Sequence, residues 1–240
     1  MKKLFEKDEV GFALMWIGLY VAGFSCADTV SEAIGMPKLL TVLVGLLLSA
    51  GLYGFIRRNH LSDYLGLKGV NGSAGQYLYY VPMLLFSSVN LWHGFALNGS
   101  AAEMVFYMVS MCFVGFLEEV IFRGLLFKGI YKSNLISAVI ISSVTFGVGH
   151  IVNLLLGEPL LETLLQLVYA SAIGFCYTAF FCASGSILPC ILSHAFINTT
   201  SVFAAQPDAK EHILISAILI VLNVGYGLWL LKKSKKQETL

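Results

Sequence analysis

Apolar residues fall in eight long runs that are separated by short polar breaks. A helix that crosses a bilayer needs roughly 20 apolar residues, and each run approaches that length. The pattern therefore predicts an all-α polytopic membrane protein, a bundle of about eight transmembrane helices. The approximate cores of the predicted spans are residues 10–28, 39–56, 77–97, 103–127, 134–152, 161–183, 186–204 and 212–231.

Composition agrees with this pattern and excludes a water-soluble fold. Hydrophobic residues make up 58% of the 240 residues and charged residues only 12%, against about 25% charged residues in soluble domains. The net charge of +1 comes from scattered basic residues, whereas a nucleic-acid binder needs a clustered basic face. We therefore expect a single integral membrane domain over residues 1–240 that contacts membrane lipids and binds no nucleic acid.

The basic residues alternate between the polar breaks and predict an orientation. With a cytoplasmic N-terminus, all of the 15 Lys and Arg except Lys38 and Lys210 lie on the cytoplasmic side, so both termini are expected there. The short loops and the lysine-rich tail KKSKK favour a bacterial plasma membrane. A cleaved signal sequence fits the first span less well, because acidic residues precede it and no A-x-A site follows.

Ionisable residues inside the predicted spans are the candidates for function. Such a side chain costs about 2.5–3.5 kcal/mol near the bilayer centre on insertion scales, so each one needs an explanation. Glu118, Glu119, His150 and His194 lie well inside spans, and His93 lies less deeply. Glu118 and His194 have similar predicted depths, and His150 is expected to lie deeper.

The two adjacent acids lie in the segment FLEEVIFRGLL, which is predicted to be helical. At about 100° per residue, Arg123 lies about 40° from Glu119 around the axis, at the i,i+4 spacing that favours an ion pair. Glu118 lies about 140° from Arg123 and has no local counterion. A charged helix end at the membrane boundary would give a similar pattern, but two adjacent acids are unusual within an apolar run.

Two further helices supply imidazole and carboxamide groups. In TFGVGHIVN, Phe146 precedes His150 by one turn; in LSHAFINTT, His194 and Asn198 share one helix face at i,i+4. Taken alone, each pair also fits a packed histidine or a hydrogen bond between helices. Together with Glu118 they supply a base and hydrogen-bond donors from three spans.

These residues resemble the motifs of the CAAX protease and bacteriocin-processing (Abi) family of intramembrane endopeptidases. The EExxxR motif is Glu118, Glu119 and Arg123; FxxxH is Phe146 and His150; and HxxxN is His194 and Asn198. The family-like catalytic core covers about residues 100–205, and the first three spans carry no family-defining residue. The resemblance implies an all-helical membrane core of eight spans.

The resemblance also implies a glutamate-dependent peptidase. Glu118 and His150 would activate a water molecule, and His194 and Asn198 would stabilise the oxyanion. Glu119, Arg123 and Phe146 would support them. No cofactor is implied. The substrate would be a peptide or a lipid-modified protein. The biological role would be C-terminal trimming of prenylated proteins, peptide maturation or bacteriocin self-immunity. Nothing in the sequence selects among these roles or fixes an oligomeric state.

Three other interpretations remain open at this point. One Glu and two His could bind a catalytic zinc ion, although no HExxH signature is present. Cys190, His194 and Asn198 form an i, i+4, i+8 stripe that would suit a thiol peptidase, although the five cysteines are otherwise expected to be small buried hydrophobes. The protein could also be a non-catalytic membrane partner, such as an immunity factor or a regulator of a sensor kinase.

Overall fold

The computed structural model describes residues 1–70, 80–92 and 94–238, and helices dominate these ranges. Their one extended pairing is an isolated bridge between Phe95 and Ala204. The predicted all-α polytopic architecture is confirmed. The α-helices are α1 Lys2–Lys7, α2 Glu9–Ala33, α3 Leu39–Arg58, α4 Tyr80–Ser87, α5 Ala101–Glu119, α6 Lys128–Tyr131, α7 Leu135–Val148, α8 Val152–Leu155, α9 Leu160–Ser184, α10 Leu188–Thr200 and α11 Ala209–Glu238.

Four short helical segments of other types complete these elements. A π-helix joins α5 to α6, so that one continuous helix runs from residue 101 to residue 131. A 3₁₀ turn likewise joins α7 to α8. Two more 3₁₀ turns follow α4 and α10. The segments are π-helical Val120–Phe127 and the 3₁₀ turns Val89–Leu91, Gly149–Ile151 and Ser201–Phe203.

Local polar groups fix several helix starts. Asp8 and Asn134 accept backbone N–H groups at the starts of α2 and α7, as good N-cap residues do. Ser100 and Glu103 form a reciprocal capping box at the start of α5. At the end of α9, Gly185 adopts a left-handed conformation with φ of 68°, which costs glycine little. These caps separate apolar runs that would otherwise merge.

The number of long helices differs from the predicted number of spans. Within the described residues, six helices are long and apolar enough to cross a membrane. The predicted span 186–204 is the shorter helix Leu188–Phe203. The left-handed turn at Gly185 follows α9, and the next helix therefore begins only at Leu188. The predicted span 77–97 contains the short α4 and a 3₁₀ turn; residues 77–79 and His93 lie outside the described residues.

Both shorter segments nevertheless run along the bundle. The Tyr80 ring packs on Phe180 near the end of α9, with ring centroids 4.5 Å apart. At the other end of this passage, Phe95 stacks on Phe203 with centroids 5.6 Å apart. Within the described residues, the eight predicted spans therefore correspond to six helices of spanning length and two shorter segments.

Lysines, α1 and the last turns of α11 that the structure describes gather at one end of the bundle, here called the basic end. It is defined by Lys68, Lys128, Lys132 and Lys232. Lys132 forms an ion pair of 2.7 Å with Glu9. Glu9 follows α1 closely in the chain. Ser234 near the end of α11 contacts the Cys182 carbonyl at 3.3 Å. The lysines that the sequence assigns to one side of the membrane therefore lie close together in space.

The long helix at residues 101–131 lies at the centre of the bundle. Half of its most apolar stretch is buried, as is half of α9, against about a third or less in the other four long helices. All eight residues of the π-helix are buried. The acidic pair at the end of α5 is therefore placed in the middle of the fold.

Candidate active site

Glu118 and Glu119 are the last residues of α5, and both are withdrawn from the surface. Glu118 is 8% exposed and Glu119 is fully buried. Burying a carboxylate in apolar surroundings is costly unless it is paired and hydrogen-bonded. The partners of these two acids therefore determine what the site can do.

Glu119 forms the ion pair that its spacing predicts. Arg123 Nη1 lies 2.9 Å from Glu119 Oε1, and neither side chain is exposed. The guanidinium carbon also lies 4.2 Å from the centre of the Phe146 ring and 5.5 Å from that of Tyr177. Such cation–π contacts stabilise a buried cation. Phe146 of the FxxxH motif thus packs against Arg123 of the EExxxR motif.

The helix that carries this pair is wider than predicted. Val120–Phe127 is π-helical, whereas the sequence pattern predicts an α-helix there. π-helical segments are rare and frequently occur at functional sites. The Glu119–Arg123 contact survives the change because residues four positions apart still lie on nearly the same face of the wider helix. Beyond it, angles derived from α-helical periodicity no longer apply.

His194 faces both acids. Its Nδ1 atom lies 2.8 Å from Glu119 Oε1, and its Nε2 atom lies 3.5 Å from Glu118 Oε2. The side chain is 6% exposed. Glu118 was expected to lack a local counterion, and none lies on its own helix; the imidazole of α10 takes that place.

Tyr20 is a site residue that sequence reasoning missed. Its hydroxyl donates a hydrogen bond of 2.6 Å to Glu118 Oε1, and its ring packs against Phe24. In the part of the chain that the structure describes, Glu118 Oε2 has no hydrogen-bond partner. The tyrosine thus holds one carboxylate oxygen and leaves the other available.

His150 reaches the same cluster from the 3₁₀ turn that follows α7. The Phe146 ring meets the His150 ring and the His194 ring edge to face, with both centroid distances 5.6 Å. Phe146 therefore contacts both imidazoles. The glycine-flanked turn thus brings the histidine that was expected to lie deeper into the vicinity of the other two groups.

Asn198 lies one turn beyond His194 on α10, as predicted. It is half-buried, and its backbone carbonyl accepts a hydrogen bond of 2.7 Å from Ser201. Among residues 1–70, 80–92 and 94–238, no group hydrogen-bonds to its carboxamide. The structure therefore places Asn198 beside the cluster without tying it to Glu118.

A second polar network supports α10 from behind. Ser193 contacts the hydroxyls of Ser87 and Tyr177, the latter at 2.6 Å. Cys190 is fully buried, and its thiol donates to the Tyr177 carbonyl at 3.6 Å. This arrangement gives the cysteine of the thiol hypothesis a structural role and fixes the helix that carries His194.

Close packing at Gly115 sets the distance between α5 and α10. A Cβ atom added there would lie 2.8 Å from the Ala195 nitrogen and 3.1 Å from its Cα. Because Ala195 follows His194 directly, this approach holds the imidazole against the two acids. A stripe of small residues of this kind is common where membrane helices approach closely.

Gly115→Ala is therefore expected to destabilise the protein by about 1–3 kcal/mol, the usual cost of overpacking. Thermal unfolding of the purified protein would measure this. Gly18→Ala on α2 is the matched control, because nothing lies within 4 Å of its added Cβ and alanine favours a helix by about 1 kcal/mol. Equal unfolding temperatures for both variants would contradict the close approach.

Comparison with known proteins identifies one similar family, and it matches the segment that carries the three motifs. Residues 100–200 match the family model Rce1-like, described as type II CAAX prenyl endopeptidase Rce1-like. This segment is similar to that family. The match covers less than half of the chain, contains all three motifs and confirms the resemblance predicted from them. No curated protein and no solved structure matches the chain.

The metal hypothesis can be compared with the arrangement of the side chains. In the described ranges, no three His, Cys, Asp or Glu side chains form a group that could hold a metal ion. Both nitrogens of His194 face carboxylates instead. The donor set is thus arranged as an ion-pair network.

Proposed function

We propose that this Rce1-like membrane protein is an intramembrane endopeptidase that cleaves peptide bonds with a water molecule activated by Glu118. The observation that carries the proposal is the buried cluster of Glu118, Glu119, Arg123 and His194. Two adjacent carboxylates are held there by an arginine and an imidazole inside an apolar bundle. A purely structural pair would need only one acid.

Charge pairing in this cluster differs between the two acids. A buried charge without a partner is strongly destabilising. Arg123 pairs with Glu119, and the His194 imidazole lies between the two carboxylates, with Nδ1 toward Glu119 and Nε2 toward Glu118 Oε2. Glu119 and Arg123 thereby orient His194 rather than take part in bond breaking.

The chemical step follows from this arrangement. Glu118 Oε2 accepts a proton from water while the water oxygen attacks the carbonyl carbon of the substrate. The oxyanion that forms accepts hydrogen bonds from His194 Nε2–H and from the Asn198 carboxamide, as in other acyl-transfer sites. The proton held by Glu118 then passes to the leaving amine as the C–N bond breaks, and we assign His150 to assist this transfer.

The proposed substrate class is taken from the family that residues 100–200 match. A type II CAAX prenyl endopeptidase releases a C-terminal peptide from a prenylated protein, and we propose a lipid-modified protein or peptide substrate here. A bacterial plasma membrane with both termini in the cytoplasm would place the basic end in the cytoplasm. Peptide maturation and bacteriocin self-immunity are alternative uses of the same chemistry.

Mass spectrometry of membrane peptides tests the proposed function in cells. Cells that carry the wild type are compared with cells that carry Glu118→Gln at equal expression. The account predicts C-terminal fragments that occur only with the wild type. Identical peptide profiles, together with an unchanged phenotype, would instead indicate a non-catalytic membrane partner.

Tyr20→Phe is expected to slow cleavage about tenfold. The change removes a hydrogen bond to a charged group, which is worth about 1.5–3 kcal/mol, and frees the carboxylate to rotate so that Oε2 turns away from the water. The measurement is the rate of cleavage of a farnesylated CAAX peptide by purified protein. Tyr53→Phe is the control, because Tyr53 lies exposed on α3; equal rates for the two variants would exclude a role of Tyr20.

A further inference from the structure

A groove of about 640 Å³ opens at the basic end, away from the acidic cluster. Its walls come from α7 and α11, and α9 lies at its base. Groups from the loop after α3 and from α6 lie at its mouth. None of its lining residues belongs to the three motifs, so the proposed peptidase chemistry does not account for it.

The inner part of the groove is apolar. It is lined by Val139 and Ile140 of α7, Phe175 of α9 and Leu228 of α11. From Gly185 to Phe175 the groove follows α9 for ten residues, which is about 15 Å at 1.5 Å per residue. Ile140 and Leu228 are each more than half exposed, so the groove opens sideways toward the surrounding hydrocarbon. This shape suits an acyl chain.

The mouth of the groove is basic. Lys68, Lys128 and Lys232 line it, with Asp63 as the single acid. Among the side chains that the structure describes, those of residues 1–70, 80–92 and 94–234, no carboxylate lies within 4 Å of these three lysines. Lys128 instead lies over the rings of Tyr64 and Phe181, each at 5.4 Å. The lysines are therefore available to an anion from outside the chain.

We propose that this groove binds an anionic phospholipid of the surrounding bilayer. The phosphate lies among Lys68, Lys128 and Lys232, and one acyl chain lies along α9 between α7 and α11. Basic pockets between transmembrane helices bind anionic headgroups in this way. The apolar depth of the groove favours a lipid over a free phosphate ion.

The groove also touches the helix of the candidate site. Phe127, the last residue of the π-helix, lines it. The same π-helix carries Arg123, four residues earlier. A bound lipid would thus pack against the end of the segment that holds Glu119, although its binding is independent of any peptidase activity.

Native mass spectrometry of the protein released from nanodiscs tests this inference. The nanodiscs contain equal amounts of phosphatidylglycerol and phosphatidylcholine. The wild type is expected to retain one phosphatidylglycerol in preference to phosphatidylcholine. The variant Lys68→Gln/Lys128→Gln/Lys232→Gln should retain at least fivefold less phosphatidylglycerol.

A matched control separates the groove from general surface attraction. Lys2→Gln/Lys3→Gln/Lys7→Gln removes the same charge from exposed residues of α1 at the same end of the bundle and should retain phosphatidylglycerol as the wild type does. Equal retention by both triple variants, whether high or low, would overturn the proposal.

A second variant tests the apolar part while the lysines stay in place. Ile140→Trp should fill the groove and lower the retained phosphatidylglycerol by a similar factor. Because Ile140 is exposed, this variant should fold even if the triple lysine variant does not. Unchanged lipid retention by Ile140→Trp would contradict the assigned groove and place the lipid elsewhere.

Discussion

Glu118→Gln is expected to lower the rate of cleavage of a farnesylated CAAX peptide by about 10²–10⁴-fold, the usual contribution of a general base. Glutamine has nearly the same shape as glutamate and still accepts the hydrogen bond from Tyr20. It cannot take a proton from water. The measurement is the turnover rate of the purified variant in proteoliposomes, with helical content and unfolding temperature recorded beside it.

The matched control for this variant is Glu158→Gln. Glu158 is exposed in the connection before α9, so the same change of charge should leave turnover unchanged. If Glu118→Gln kept more than a tenth of the wild-type rate, Glu118 would not be the base.

Arg123→Met is expected to destabilise the protein by about 3–5 kcal/mol, the cost of leaving one partner of a buried ion pair uncompensated. Glu119 would then share its charge with His194 alone, inside a fully buried site. The loss should appear as a lower unfolding temperature and a lower midpoint in denaturant titration of the detergent-solubilised protein.

The double variant Glu119→Gln/Arg123→Met provides the decisive comparison. Replacing both partners of a buried pair is often close to neutral, so most of the lost stability should return. Turnover should stay low, because His194 loses the carboxylate that orients it. If the double variant were as unstable as Arg123→Met alone, the loss of stability would come mainly from the packing of the guanidinium on Phe146 and not from the unpaired charge of Glu119.

The parts of the site that the sequence predicts are set by local spacing. The Glu119–Arg123 pair depends only on four residues of helix, and His194 and Asn198 share a helix face for the same reason. The all-α architecture follows from the lengths of the apolar runs. In each of these cases the relevant physics lies within one element.

The parts that the sequence does not predict depend on contacts between distant elements. Tyr20 lies 98 residues before Glu118 and has no motif of its own; the weak signal is a tyrosine hydroxyl in an apolar span, which needs a partner when buried. The pairing of His194 with Glu119 spans 75 residues. It depends on the close packing at Gly115, which no periodicity reveals.

Two further differences arise from backbone geometry. The π-helix at Val120–Phe127 follows from the packing around it, since the apolar sequence there suits an α-helix equally well. The lengths of the apolar runs also overestimate the number of long helices. In the segment 186–204, the helix begins only after the turn at Gly185 and ends in a 3₁₀ turn. Hydropathy measures composition and does not register such stops.

Cleavage of a farnesylated CAAX peptide by the purified protein in the presence of a metal chelator tests the central claim most directly. The wild type, Glu118→Gln and Cys190→Ala are compared in one assay. The account predicts that the wild type and Cys190→Ala release the C-terminal peptide and that Glu118→Gln does not. Loss of cleavage on chelation with recovery on added zinc, or full cleavage by Glu118→Gln, would contradict it.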